Sequence, residues 1–242
     1  MQEITFKAYT FDELSDAGKS KARDWWRRGA FNDASWSEAT IEEVEREGIL
    51  LGIEFDAQSG KTLGGKQYTE PKIWWSGFSS QGGGACFEGS WKASNVKADK
   101  VADGWGEDPA TTEIKRIAAI FAKIAKDFPR SSFKVMHTDR YYHEYSTDFS
   151  FESGADDSDP DELDRYRTTE DDPNNPDEMP RQRMADDFPE EELMEAARDF
   201  MGWIYRQLEK EYDYQNADEQ VDDNIRANGY LFSESGGRTV VL

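Results

Sequence analysis

The side chains best suited to chemistry in this 242-residue chain are its single cysteine and its two histidines, Cys86, His137 and His143. A thiol beside an imidazole can act as a nucleophile with its general base, and the three side chains together could ligate zinc. Closed zinc sites usually contain ligand pairs at short spacing, and this chain has no cysteine pair. We therefore predict a structural Cys86, no catalytic residue, no metal and no cofactor. A Cys/His hydrolase is kept as an alternative.

A second candidate is a glycine-rich segment that follows two tryptophans, WWSGFSSQGGGACFEG at residues 74–89. Glycine lets backbone N–H groups approach an anion closely, and the hydroxyl and amide side chains nearby add donors. A wide turn between two strands is the other interpretation, and the Gly-Lys-Ser/Thr of a Walker loop is absent. A small signalling nucleotide is the ligand we consider for this loop. Its candidate residues are Trp75, Ser79, Ser80, Gln81, Gly82, Gly83 and Gly84.

Acidity is the strongest feature of the composition. The net charge is −22, and residues 152–195 alone hold 18 acidic side chains against four arginines, a local net charge of −14. Recognition of phosphates needs clustered lysine and arginine side chains, and a chain with this excess of negative charge repels phosphates instead. We therefore predict no direct binding of nucleic acid or membrane, and a basic protein as the partner.

Carboxylates at helical spacing are the candidate partner-binding residues. Duplex DNA carries about one negative charge per 1.7 Å of axis, so a protein that imitates it needs carboxylates fixed along a rigid face. With 51 acidic residues, carboxylate pairs have no diagnostic value for catalysis, and we assign no general acid. The candidates are Glu38, Glu42 and Glu45 on one predicted helix, and Asp218, Glu219, Asp222 and Asp223 on another.

Hydrophobic periodicity predicts the elements that position these residues. Helices are predicted at about 15–28, 37–51, 112–128, from 189 onward and at 217–228, and the spacing of Thr10 and Glu13 is that of a capping box. Strands are predicted at 4–9, 52–56, 72–79, 85–93, 230–232 and 239–242, with a glycine-rich turn at 59–66. Residues 133–151 form a predicted hairpin that places His137 on one strand and His143 and Tyr145 on the return strand.

These elements predict an α+β fold, an antiparallel sheet of about five to seven strands packed against four or five helices, with a long acidic loop insert. Residues 1–151 form the α+β core, residues 152–187 a disordered acidic insert, and residues 188–242 the C-terminal helices and closing strands of the same domain. Since the amino terminus has no signal-peptide pattern and no apolar run could cross a bilayer, we expect a cytoplasmic protein. The oligomeric state stays open.

Four strings resemble a family of phage and prophage proteins, some of which carry the label "antitoxin of toxin-antitoxin stability system". They are YTFDELSDAGKSKARDWW (9–26), WWSGFSSQGGGACFEG (74–89), HTDRYYHEYS (137–146) and DFMGWIYRQLEKEYDY (199–214). The resemblance implies a phage gene that acts inside a bacterium, and it implies no particular reaction.

Charge and resemblance together predict a non-enzymatic acidic interaction protein. It would inhibit or neutralise a bacterial defence factor or toxin by covering a basic, nucleic-acid-binding surface, in the manner of an anti-defence, anti-CRISPR-like or antitoxin protein. Sequestration of a signalling nucleotide by the glycine loop and hydrolysis by Cys86 with a histidine remain the alternatives.

Overall fold

The computed structural model describes residues 7–30, 34–61, 64–65, 67–78, 82–153, 174 and 187–237, and its fold is α+β, as predicted. None of the described helices is long and apolar enough to cross a bilayer. The α-helices are α1 (Asp16–Ala30), α2 (Glu38–Leu50), α3 (Pro109–Asp127), α4 (Glu190–Asn216) and α5 (Asp218–Ala227). The strands are β1 (Ile53–Phe55), β2 (Ala57–Lys61), β3 (Gln67–Pro71), β4 (Ile73–Ser76), β5 (Gly84–Phe87), β6 (Gly89–Lys92), β7 (Ser132–His137) and β8 (Thr147–Glu152).

The chain groups into two compact units. One comprises Met1–Thr40 with Leu208–Leu242, and the other comprises Ile41–Gln207, which contains all eight described strands. The prediction of one domain interrupted by an insert stays a prediction. The predicted insert at 152–187 lies outside the described residues except at 152–153, 174 and 187, and the predicted strand at 239–242 lies outside them entirely.

An aromatic core stabilises the unit formed by the two ends of the chain. The ring of Trp25 on α1 lies 5.1 Å from the ring of Tyr230 and 5.8 Å from that of Phe232, both in edge contact. The predicted capping box is present at Thr10 and Glu13, although it begins a single 3-10 turn and α1 starts later. The buried residues of this core are Phe11, Leu14, Ala22, Val221, Ile225 and Phe232.

In the second unit, three chain segments meet at a junction formed by Asp56, Lys72 and Glu88. Each of these residues separates two strands of one segment: β1 from β2, β3 from β4, and β5 from β6. The strands change partners at the same residues, because β2 pairs with β3, β4 with β5 and β6 with β1, all antiparallel. The junction therefore links two hairpin arms to the four-stranded sheet, whose order is β1-β6-β7-β8.

Backbone hydrogen bonds close the junction in a ring. The N–H of Asp56 donates to the carbonyl of Glu88 at 2.9 Å, that of Glu88 to Lys72 at 3.0 Å, and that of Lys72 to Asp56 at 2.7 Å. The Nζ atom of Lys72 also lies 2.6 Å from Oε2 of Glu88, and this hydrogen bond raises the pKa of Lys72. The backbone N–H and carbonyl groups of all three residues are thus paired at the junction, where the regular strand ladders end.

Helices α3 and α4 cover the four-stranded sheet on its buried side. The fully buried Trp91 of β6 stacks on Phe133 of β7 at 5.6 Å and contacts Phe121 of α3 at 5.7 Å. Its indole Nε1 donates to the carbonyl of Leu51 at 2.8 Å, so the polar atom of this ring is also satisfied. Three ion pairs then join α3 to α4: Glu113–Arg206, Arg116–Asp199 and Lys123–Glu192.

Three sequence predictions need correction. Residues 59–66 are not simply a turn, because β2 and β3 form a hairpin arm from 57 to 71 in which none of the described side chains is buried. The predicted strand at 85–93 is divided at Glu88, where it changes partner. The 133–151 hairpin is confirmed, but its return strand begins only at Thr147, so His143 and Tyr145 lie in the preceding loop and their predicted place on the return strand is wrong.

Glu47 is a buried carboxylate near the end of α2, with 1% of its surface exposed. One of its oxygens accepts a hydrogen bond from the backbone N–H of Ala102 at 2.8 Å, and the other lies 3.2 Å from Nε of Arg46. Among the described residues, Ala102 is the one non-glycine residue with a left-handed backbone, at φ +52°. The carboxylate therefore holds a strained turn beside α2.

We expect Glu47→Ala to lower the free energy of unfolding by about 2–3 kcal/mol, because the buried N–H of Ala102 then loses its acceptor. Urea denaturation followed by circular dichroism measures this loss. The matched control is Glu43→Ala, which removes a partly exposed carboxylate of the same helix and should cost about 0.5 kcal/mol or less. Equal losses in the two variants would contradict the role assigned to Glu47.

Candidate partner-binding site

The candidate carboxylates of α2 lie where the sequence predicts them. Glu38 and Glu42 are exposed and Glu45 is half-buried, and the helical rise separates them by about 6 Å and 4.5 Å along the axis. The one arginine of this helix, Arg46, contacts Glu43 at 3.4 Å and Glu47 at 3.2 Å instead. The three candidates thus form an anionic ridge that the helix does not neutralise with its own cation.

The candidate carboxylates of α5 have a different environment, because arginines contact three of the four. Asp222 accepts two hydrogen bonds from Arg23 of α1, at 2.6 Å and 2.7 Å, and is only 13% exposed. Asp218 contacts Arg23 at 2.9 Å and Arg27 at 2.6 Å, and the hydrogen bond from Arg27 lowers the pKa of Asp218. Through these contacts the two arginines tie α1 to α5.

The last two candidates of α5 differ from each other. Asp223 lies 3.0 Å from Arg226, which also contacts Asp12, whereas Glu219 is exposed. Asp218, Asp222 and Asp223 therefore stabilise the unit formed by the chain ends, and the anionic face predicted for α5 is largely neutralised within the chain.

The glycine segment forms the β4–β5 hairpin, and close packing accounts for the last two glycines of its Gly82-Gly83-Gly84 run. A Cβ at Gly83 would collide with the carbonyl oxygen of Gly77 and lie 2.8 Å from the hydroxyl of Tyr205, which donates to that carbonyl at 2.7 Å. A Cβ at Gly84 would lie 2.8 Å from Cδ2 of His143. Protein groups therefore occupy the space beside both glycines.

Of the other candidate residues of this loop, the structure describes Trp75 and Gly82. Trp75 is half-buried on β4, and Gly82 is exposed with φ +85°, a backbone conformation that favours glycine. Ser79, Ser80 and Gln81 lie outside the described residues. The wide-turn interpretation explains the described part of the segment.

Cys86 is fully buried on β5, and burial raises the pKa of its thiol to about 12, against a smaller lowering by a hydrogen bond from the backbone of His143. The imidazoles have other contacts: Nε2 of His137 lies 3.1 Å from the carbonyl oxygen of Tyr141, and Nδ1 of His143 accepts from the backbone N–H of Tyr145 at 3.3 Å. The described part of the chain contains no group of three or more His, Cys, Asp or Glu residues able to hold a metal ion. These surroundings are those of a structural cysteine.

A surface that the sequence analysis missed lies in residues 138–146, which we call the tyrosine loop. The described residues include six exposed large apolar or aromatic side chains, and three of them fall between 136 and 145: Met136 (49% exposed), Tyr141 (57%) and Tyr145 (66%). The available signal was the tyrosine spacing, since adjacent Tyr141 and Tyr142 interrupt the alternation of a strand. Because the segment is predicted as part of a strand, this exposed loop is not evident from the sequence.

Hydrogen bonds across its base make the tyrosine loop an ordered structure. Thr138 N–H donates to the carbonyl of Ser146 at 3.0 Å, and Ser146 N–H donates to that of His143 at 2.9 Å. The half-buried Tyr142 stacks on Trp74 of β4 with centroids 5.9 Å apart. Tyr142 therefore anchors the loop, while Tyr141 and Tyr145 extend into solvent.

Comparison with known proteins yields one family match. The model of DUF8835, described as a domain of unknown function, matches residues 36–218, about three-quarters of the chain. Neither the curated proteins nor the solved structures contain a match. The match includes α2, the junction, the glycine hairpin and the tyrosine loop.

We expect Arg23→Ala to lower the free energy of unfolding by about 2 kcal/mol. The value is below that of a fully buried pair because Arg23 and Asp222 keep 22% and 13% exposure. Chemical denaturation measures the loss, and Lys21→Ala, which removes an exposed cation of the same helix, should change stability by less than about 0.5 kcal/mol. An Arg23→Ala variant with the stability of the wild type would mean that the ion pairs do not hold the α5 carboxylates and that these are available to a partner.

We also expect the native protein to resist thiol reagents. With a pKa of about 12, roughly one Cys86 thiol in ten thousand is ionised at about pH 8, against about one in four for an ordinary thiol. Iodoacetamide should therefore modify the native protein at least about a thousand-fold more slowly than the urea-unfolded chain, and mass spectrometry follows the reaction at this single cysteine. Comparable rates in the two states would restore Cys86 as a candidate nucleophile.

Proposed function

We propose that this chain, which belongs to the DUF8835 family, is a non-enzymatic binding protein that uses its acidic surface to cover a basic surface of a protein partner. The observation that carries the proposal is the contrast between two helices. The carboxylates of α5 are contacted by arginines of the same chain, whereas Glu38, Glu42 and Glu45 of α2 project from a helix whose one arginine pairs elsewhere.

Charge density limits what the α2 ridge imitates. Its carboxylates are spaced at about 6 Å and 4.5 Å, whereas phosphates follow each other at about 3.4 Å of axis per strand of duplex DNA. The ridge is sparser than a DNA strand, and it suits individual lysines and arginines of a groove better than it replaces a duplex. The high net charge of −22 adds long-range attraction of a cationic partner.

The resemblance and the charge also bear on the biological setting of this protein. We infer that the chain is encoded by a phage and acts inside a bacterial cell, where it inhibits a defence factor or neutralises a toxin by covering its nucleic-acid-binding surface. The four strings that resemble phage proteins support this setting, and acidic charge supports a target that normally binds phosphates. The buried, protonated thiol of Cys86 supports a binding role over hydrolysis.

Salt-dependent capture from a bacterial lysate tests the proposal. The wild type should retain basic nucleic-acid-binding proteins at about 50 mM NaCl and release them by about 300 mM, because salt screens exposed charges. Mass spectrometry identifies the retained proteins. Retention of neutral or acidic proteins that does not depend on salt would contradict a charge-driven partner, and a co-purified nucleotide would favour the glycine loop as a ligand site.

Charge reversal locates the contact. We expect Glu42→Lys with Glu45→Lys to weaken binding of the captured protein at least about five-fold, since attraction is replaced by repulsion at the rim of the interface. The matched control is Asp103→Lys with Glu107→Lys, which changes the net charge equally at two exposed positions elsewhere in the same unit. Equal weakening by both pairs of substitutions would show that net charge alone acts and would remove α2 from the proposal.

A further inference from the structure

We propose that the tyrosine loop is the surface that recognises arginine side chains of the basic partner, a step that rests on the proposed function. Two exposed aromatic side chains, Tyr141 and Tyr145, extend from this one short loop. Exposed aromatic side chains on an ordered support are the usual anchors of protein interfaces, because little side-chain entropy is lost on binding.

The loop is already organised for binding. Its ends are joined by the hydrogen bond from Thr138 to Ser146, and the hydroxyl of Thr147 donates to the carbonyl of Glu144 at 2.6 Å. Tyr142 contacts both Trp74 and His137, with centroids 5.9 Å and 5.3 Å away, and those two rings lie 5.7 Å from each other. A loop held on this scaffold does not need to be ordered by the partner, which lowers the cost of association.

Two arginines of the same chain lie over the rings of Tyr141 and Tyr145. The guanidinium carbon of Arg198 lies 5.0 Å from the ring centroid of Tyr145 and 5.8 Å from that of Phe149, and that of Arg140 lies 6.0 Å from the centroid of Tyr141. The Nε atom of Arg198 is buried and has no hydrogen-bond acceptor among the described residues, while its Nη1 donates to Glu195 at 3.0 Å. Tyrosine faces in this loop therefore accommodate guanidinium groups, and both tyrosines keep more than half of their surface exposed.

Charge around the loop favours the same occupant. Asp139 is exposed and Glu144 is half-buried, so two carboxylates accompany Arg140 in the loop, and the exposed Asp148 follows on β8. A guanidinium that stacks on a tyrosine can also donate hydrogen bonds to a carboxylate, a combination that suits arginine better than lysine because its planar group stacks and donates paired hydrogen bonds. The inferred occupant is an arginine-bearing segment of a protein.

Nona-arginine and nona-lysine peptides serve as probes, because they carry equal charge and differ in the group that the rings would recognise. Calorimetric titration of the full chain at about 150 mM NaCl should give tighter binding of nona-arginine, by about five-fold or more. We expect Tyr141→Ala with Tyr145→Ala to remove this preference while leaving nona-lysine affinity within about two-fold of the wild type. Tyr141→Phe with Tyr145→Phe keeps both rings and should keep the preference.

The outcomes separate the two proposals. An arginine preference that survives in the alanine variant, or its absence from the wild type, overturns the assignment of the tyrosine loop. Failure of both peptides to bind the wild type overturns the binding of basic partners as well, whereas weaker binding of both peptides by the Glu42→Lys, Glu45→Lys variant supports it independently of the tyrosines. All four substituted side chains have solvent contact, and an unchanged thermal midpoint confirms that each variant is folded.

Discussion

The ring of backbone hydrogen bonds at Asp56, Lys72 and Glu88 is the constraint on which the second unit depends. Each segment must leave one partner and join another at the same point, and a strand interior offers no spare donors or acceptors for such a change. The ring satisfies all three N–H groups at 2.7–3.0 Å, and the Lys72–Glu88 ion pair places a charge-assisted bond beside it. From this point the β4–β5 hairpin, the exposed β2–β3 arm and the four-stranded sheet extend as separate ladders.

The junction also explains why the glycine hairpin lies among so many aromatic rings. Strand β4 presents Ile73 and Trp75 on one face and Trp74 and Ser76 on the other, as the alternation of a strand requires. The side chain of Trp74 meets Tyr142 and His137, while Phe78 beyond the strand meets Tyr205 of α4 at 5.3 Å. Glycines at 83 and 84 are needed because the carbonyl of Gly77 and the hydroxyl of Tyr205 crowd the first, and the ring of His143 crowds the second. A segment with the composition of an anion-binding loop is thus a packing element in its described part.

Charge has two roles in this protein. In the unit formed by the chain ends, arginines of α1 and carboxylates of α5 compensate each other, and the bidentate contact of Arg23 with Asp222 fixes two helices that are 199 residues apart in sequence. On α2 the exposed carboxylates have no such counterpart on their own helix, and their mutual repulsion is tolerated because they face solvent. This surface, together with exposed tyrosines on an ordered loop, is the basis on which we propose an interface for a cationic protein.

The sequence by itself determined the fold class, the long helices and the β7–β8 hairpin, because periodic burial is a local property that neighbouring residues share. The helix at 112–128 and the ridge of Glu38, Glu42 and Glu45 follow directly from spacing of 3.6 residues per turn. Tertiary structure alone decided the rest. Whether Asp222 faces solvent or Arg23, whether Cys86 meets an imidazole or a backbone, and whether Tyr145 lies in a strand or a loop all depend on contacts between residues distant in the chain. Such contacts leave no local pattern, since an aspartate in an ion pair and an aspartate in water occupy the same position on a helix.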